Sequence, residues 1–355
     1  MEQNPFIYLR GLKHAAFTVF CVAEGQKSYY DPQFRVYAPY SSGQQVKRSI
    51  MDKIVETLNE EPSPVSFYFD VDKKGALKEG EVLSICNPEY VDQLIGGWMR
   101  TPKGGAEKAV KRRSPLSISA MTPLHPLLAA IPTENISFDR SDRPGVHKVV
   151  VRDADGTPLT EEQISELLSG MDRSLYRKWI PDNKRATGLF VYDVAIDLRR
   201  LFTVSTNQLE PEISSETFEK LKNDGWKTVK TVFGEALLMP ENRRNKIIPS
   251  IADALIDWRI TSNQARTFSL METLAVAISA NANSLAAAIR AKMTDDSGDK
   301  PRVKPIVDEN AGAKTFVALQ CANYIVTESE SKDALDNAKR ELIDRMQSFD
   351  YENQI

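Results

Sequence analysis

Apolar positions along this chain switch between a period of two and a period between three and four, which predicts strands interleaved with helices. Residues 9–22 read as a first strand, buried on at least one face. Val46, Ile50, Met51, Ile54, Val55 and Leu58 then recur at helical spacing, so one face of that helix is buried. Ser41 or Ser42 can cap it, with Gln44 or Gln45 three residues on. Glu60-Glu-Pro-Ser-Pro64 ends the helix, and residues 65–71 are strand-like. Residues 135–152 predict a β-hairpin: Ile136 and Phe138, an Arg143-Pro-Gly145 turn signal, then Val146, Val149, Val150 and Val151. A short capped helix follows over 160–171, then strands over 175–180 and 187–196. Ile247, Ile248, Ile251, Leu255 and Trp258 mark an amphipathic helix over 241–258. The alanine-rich stretch 271–293 reads as helix, at least in its second half. A linker rich in Pro, Asp and Gly over 294–310, a last strand over 314–327 and a charged helix over 329–349 complete the chain. No repeat is visible, and the interleaving gives an α/β or α+β chain with insertions.

Composition narrows the class. The 355 residues are 41% hydrophobic and 27% charged, as in an ordinary soluble globular protein. A net charge of -3 with a pI near 5.8 argues against a general nucleic-acid binder, whose footprint is basic overall. A local basic strip can still dominate while the far surface stays acidic, and many of the acids crowd into 328–352. Cys21, Cys86 and Cys321 are far apart and odd in number, which supports neither a disulfide framework nor a zinc ribbon and fits a reducing cytoplasm. The apolar run 15–23 is too short to span a bilayer. No membrane association is expected.

Catalytic signatures are missing: there is no G-x-S-x-G elbow, phosphate-loop motif or H-E-x-x-H. His14, His125 and His147 lack metal-ligand spacing, Asp70 and Asp72 lack a third ligand, and Asp153-Ala-Asp-Gly156 reads as a turn. Asp193 and Asp197 fit strand-edge positions without a partner base.

Two stretches carry candidate chemistry. Arg35-Val-Tyr-Ala-Pro-Tyr-Ser-Ser-Gly-Gln-Gln-Val-Lys-Arg-Ser49 reads as a strand end, a proline break and a helix start. A free helix N-terminus offers unpaired N–H groups and partial positive charge, and Lys47, Arg48 and Lys53 fall off the buried stripe, near solvent; such a site suits a phosphate backbone. Tyr29 and Tyr30 in a polar loop, with Phe34, Tyr37 and Tyr40, either stack on bases or pack half-buried. The second stretch, 92–113, holds Gly96-Gly97 and Gly104-Gly105 before Lys108, Lys111, Arg112 and Arg113, which reads as a basic surface loop.

S-G-Q-Q-V-K-R, after an N-terminal strand and a tyrosine-rich loop, resembles the motif of the CRISPR Cascade backbone subunit, the DevR-like family that coats guide RNA. Lys111-Arg-Arg-Ser-Pro-Leu-Ser-Ile-Ser-Ala-Met121, the strand Gly188-Leu-Phe-Val-Tyr-Asp-Val-Ala-Ile-Asp-Leu198 and Ser262-Asn-Gln-Ala-Arg-Thr-Phe268 resemble further landmarks in the same order. The resemblance implies one RNA-binding domain over 1–355: an α+β, modified ferredoxin-like (RNA-recognition-motif-like) palm. It also implies a finger insertion at about 60–113, a thumb hairpin at about 132–158 and an extension over 270–355. It implies guide-RNA (crRNA) contacts at Ser42, Gln44, Gln45, Lys47 and Arg48, with Arg35 and Arg266 as further candidates. Arg112 and Arg113 would grip the guide or the target DNA strand. Implied partners are guide RNA, the target DNA strand, adjacent copies of the chain, other Cascade subunits and a recruited helicase-nuclease, with no cofactor and no catalysis. The alternatives are a metal-dependent ribonuclease subunit using Asp31, or a protein-interaction or regulatory module.

Overall fold

The computed structural model describes residues 4–20, 25–101, 108–261, 268–295 and 301–354. Eight elements frame it: β1 (Phe6–Thr18), α1 (Gly43–Leu58), β2 (Leu116–Ile118), β3 (Ala186–Asp197), α2 (Glu241–Asp257), β4 (Thr273–Ser279), β5 (Lys314–Val317) and α3 (Ala334–Gln347). Helices and antiparallel sheets share the chain, an α+β fold. The chain divides into two compact units, Met1–Ala130 with Ala186–Ile355, and Ile131–Arg185.

In the larger unit β1 is the central strand. It pairs antiparallel with β3 on one side (Leu12 opposite Val191) and with β4 on the other (Gly11 opposite Val276). β5 lies beyond β4, while β2, Thr122–Pro123 and Ala129–Ala130 share the far edge of β3. The alternation of β1 sorts two cores. Ile7, Leu9 and Ala15 join the apolar stripes of α1, α2 and α3, and Leu12 joins Ala288, Ile289 and Cys321 in a smaller cluster. Gly11 is required where it stands: a Cβ there would lie 2.3 Å from the Tyr192 ring, whose hydroxyl donates to Leu255 O at 2.6 Å.

Several elements differ from expectation. Thr273–Ser279, expected in a helical stretch, is a strand buried along its whole length, because it lies between β1 and β5. Such a strand shows no alternation. The expected linker 294–310 contributes Arg302–Val307, paired with Ile289–Asp295. The strand expected over 314–327 is only β5, followed by a 3-10 turn at Leu319–Asn323. Tyr29 and Tyr30 lie on a strand, Ser28–Asp31, paired with Val36–Pro39 rather than in a loop. A three-stranded sheet of Thr203–Ser205, Gly234–Leu238 and Lys227–Thr231 was not anticipated.

The smaller unit, Ile131–Arg185, is built on a hairpin, but its second strand is not 146–151. Thr133–Asp139 pairs with Arg177–Lys184, and the turn signal forms a 3-10 turn at Pro144–Val146. Asp153 is a turn residue, its carboxylate accepting the amides of Asp155 and Thr157. Thr160 and Gln163 form a capping box at the start of Glu161–Leu167. Among the described residues, no helix is long and apolar enough to cross a membrane.

Candidate nucleic-acid interface

The start of α1 is held from two sides. Ser41 exchanges both backbone hydrogen bonds with Met121 at 3.0 Å, which ties the chain just before the helix to the segment after β2. Ser42 is the N-cap, its hydroxyl accepting the Gln45 amide at 3.3 Å. Gly43 follows because space is short: a Cβ would meet Ile118 O at 3.1 Å and Ala120 N at 3.2 Å, both backbone atoms. The amides of Gly43 and Gln44 have no acceptor among the described residues, and the Gln44 side chain is exposed beside them. Two unclaimed donors at a helix start make an anion-receptive entrance.

The cations of α1 divide. Arg48 is exposed and pairs with Asp52 one turn on, at 2.9 Å. Lys47, expected near solvent, is half-buried: its ammonium donates to Gly96 O at 2.7 Å and Ser114 Oγ at 2.8 Å, and burial lowers its pKa. It ties α1 to the chain on either side of the Trp98–Arg100/Val110–Arg112 hairpin. Lys53 faces Asp253 of α2 at 3.6 Å.

The hairpin leading into α1 carries Arg35 at its turn, exposed and in the left-handed region at φ 54°. Tyr30 and Tyr37, paired across the strands, are 50% and 65% exposed with ring centroids 5.2 Å apart. Tyr29 instead packs edge-on against Tyr40 at 6.1 Å. Asp31 is occupied locally, one carboxylate oxygen accepting the amides of Gln33 at 3.0 Å and Phe34 at 2.9 Å. His125 accepts the Leu127 amide through Nδ1, packs against the Phe34 ring, and is lowered in pKa by burial. No group of three or more His, Cys, Asp or Glu that could hold a metal exists among the described residues.

The basic stretch before β2 is a strand rather than a loop, and its alternation sorts its cations. Lys111 points out and pairs with Glu210 at 2.7 Å, Arg112 points in, and Arg113 is exposed. Arg112 thereby leaves the set of surface candidates. Its guanidinium donates to the carbonyls of Leu94, Arg200 and Thr203, so its donors serve the fold. Asp193 pairs with Arg10 at 2.7 Å, and Asp197 caps the turn Leu198–Leu201 and pairs with Arg199. Arg266, and Cys21 with it, lie outside the described residues. The structure thus brings Ser42, Gln44, Gln45 and Arg48 together at one helix entrance. Arg200, whose guanidinium lies over the Phe233 ring, belongs to a stretch in which no motif signals it.

No family model and no curated protein matches the chain. Among solved structures, one described as "CRISPR RNA-guided surveillance complex, pre-nicking" is 8% identical with a TM-score of 0.44, over 97% of this chain and 90% of that one. Another, "CRISPR RNA-guided surveillance complex", is 10% identical with a TM-score of 0.38, over 96% of this chain and 84% of that one. Likenesses this weak carry no conclusion about the chain's activity.

Proposed function

We propose that this chain is a guide-RNA-binding backbone subunit of a type I CRISPR surveillance complex, non-catalytic and built on a ferredoxin-like palm. The observation that carries the reading is the α1 entrance: two unclaimed amides beside exposed Gln44 and Arg48, inside the Ser42-Gly-Gln-Gln-Val-Lys-Arg48 motif. A subunit that coats guides of any sequence needs phosphate contacts rather than base-edge readers, because pairing between guide and target carries the specificity. Strand order supports the palm: β4, β1, β3 and β2 are neighbours in that order, with α1 connecting β1 to β2 and α2 connecting β3 to β4. Both helices bury their stripes in the same core.

In this reading Arg48 is the principal phosphate contact. Its exposed pairing with Asp52 is worth little and is readily exchanged for a phosphate. Gln44 and the Gly43 and Gln44 amides donate alongside it, Ser42 sets the helix start, and Lys47 positions the helix. Tyr30 and Tyr37 offer a stacking platform and Arg35 a further charge. Adjacent copies, other subunits, a target DNA strand and a recruited helicase-nuclease are the partners that go with this role.

The test is co-expression with a guide RNA, reading particle mass and absorbance ratio, then the salt dependence of RNA binding. A large RNA-bearing particle is expected. Arg48→Ala should lower the salt slope by about 0.7, the share of one single-strand phosphate contact. Normal assembly of Arg48→Ala and Gln44→Ala with an unchanged slope would overturn the assignment.

A further inference from the structure

Most arginines that face carboxylates in the larger unit are held closely: Arg10 to Asp193 at 2.7 Å, Arg199 to Asp197 at 2.8 Å, Arg243 to Glu60 at 2.5 Å. A small recess departs from that pattern. Arg112, Arg113 and Arg200 line it, with Ser205, Glu212 and Phe233. Glu212 stands 3.8 Å from Arg112 and 3.7 Å from Arg200, beyond hydrogen-bonding distance, while its Oε2 accepts the Ser205 amide at 2.8 Å. The other carboxylate on the lining, Glu235, is exposed.

The donors here are correspondingly idle. The Arg200 guanidinium lies 3.6 Å over the Phe233 ring and makes no hydrogen bond among the described residues. Arg113 is exposed with no ion pair there, and the Ser205 hydroxyl accepts from the Asn207 amide while its own proton is unclaimed. Behind them Arg112 is fully buried, and burial, with Arg200 adding to it against Glu212, lowers its pKa to about 10. Positive charge is under-compensated at this point of the fold.

We propose that the recess is a phosphate site, in which an oxyanion is held by Arg200, Arg113 and the Ser205 hydroxyl with the Arg112 charge behind it. A guanidinium already flattened on an aromatic ring presents its paired donors at little further entropic cost, and its planar fork matches two oxygens of a phosphate. The site rests on these residues alone and not on the α1 entrance. Inorganic phosphate, the terminal phosphate of a nucleotide chain and an internal phosphodiester share this chemistry.

The experiment is a ³¹P line-broadening titration of inorganic phosphate with the full chain, followed by competition with one short RNA in 5′-phosphorylated and 5′-hydroxyl forms. Saturable broadening is expected, about tenfold weaker in Arg200→Gln and in Arg113→Gln, from the loss of one charged hydrogen-bonding group. Competition by both RNA forms assigns an internal phosphodiester, by the phosphorylated form alone a terminal phosphate, and by neither a free phosphate. Arg113 is exposed, so its variant reads the site even if Arg200→Gln unfolds. The part of the inorganic-phosphate binding that Arg113→Gln weakens should persist in Arg48→Ala, which tests the α1 entrance, so the two readings fail separately. Absence of saturable broadening, or a wild-type affinity in both arginine variants, would overturn the proposal.

Discussion

Lys13 occupies a core position on β1, 1% exposed, where the alternation of the strand calls for an apolar side chain. Its ammonium donates to Ile256 O at 3.3 Å, Met271 O at 3.1 Å and Thr273 Oγ1 at 2.9 Å, and stands over the rings of Trp258 and Tyr192. Ile256 belongs to the last turn of α2, so the lysine meets carbonyls that the helix leaves unpaired and the negative end of its dipole. Burial outweighs these contacts and pushes the Lys13 pKa down to about 7. The folded pKa is therefore below the unfolded one. Between roughly pH 7 and the ordinary lysine value near 10.4, the unfolded chain binds more protons, so the stability contribution of Lys13 rises with pH. Below about pH 7 both states are protonated and the full cost of the buried charge stands. Lys13→Met removes the titration. Denaturation of both proteins from pH 6 to 10 should show wild type gaining on the variant above pH 7, by up to about 1.4 kcal/mol per pH unit. Parallel curves would mean that the lysine does not titrate in this range.

At the scale of elements, the helical layer is tied by charge as well as by its apolar stripes. Lys339 of α3 reaches Asp253 at 2.7 Å and Asp257 at 2.5 Å, both on α2, and Lys53 of α1 stands 3.6 Å from Asp253. Burial works to raise the Asp253 carboxyl, but the hydrogen bond and charge of Lys339, the charge of Lys53 and a hydrogen bond with Asp257 together outweigh it and leave it lowered. Lys339→Met should cost about 1–2 kcal/mol in chemical denaturation, because it leaves two carboxylates one turn apart without the ammonium that bridges them. The sign for Asp253 is that of a depressed acid: its stabilisation is present above the unfolded pKa and fades as pH falls through the folded one. The wild-type advantage should therefore shrink in acid, and an advantage constant down to pH 3 would place the effect in packing.

The helices α1 and α2 were legible because each joins a 3.6-residue stripe to a recognisable start or break. Strand β4 was not, since Leu-Ala-Val-Ala-Ile buried on both faces has no period to read. The hairpin of the smaller unit was misread because its second strand stands far along the chain, past a capped helix, while a valine-rich run lay closer. Ser42 was legible as a cap. The inward turn of Arg112 follows only once 110–112 is known to be a strand, where the middle of three successive cations faces the core.

For the whole molecule, the division at Ala130 and Ala186 has a local basis. Ala129 pairs with Gly188 and Ala130 with Thr187, so the larger unit brings the two ends of the intervening segment together by its own strands. Gly188 is needed at this junction, with φ +132° and a Cβ position only 2.3 Å from Leu128 O. Residues 132–185 can therefore be replaced by an Asn-Gly turn, which keeps Ile131 opposite Ala186 in the same register and closes adjacent antiparallel strands with their natural twist. The shortened chain should unfold in one cooperative transition with a midpoint within about 5 °C of the full chain, because its cores contain no residue of the excised segment. Under the guide-coating reading it should still bind short RNA through the α1 entrance but no longer form the large particle, since the hairpin would be what closes over the strand and meets the neighbouring copy. An excised chain that fails to fold would show that the larger unit depends on the smaller. One that folds and still assembles at full mass would remove the hairpin from the gripping machinery and leave the α1 entrance to hold the strand alone.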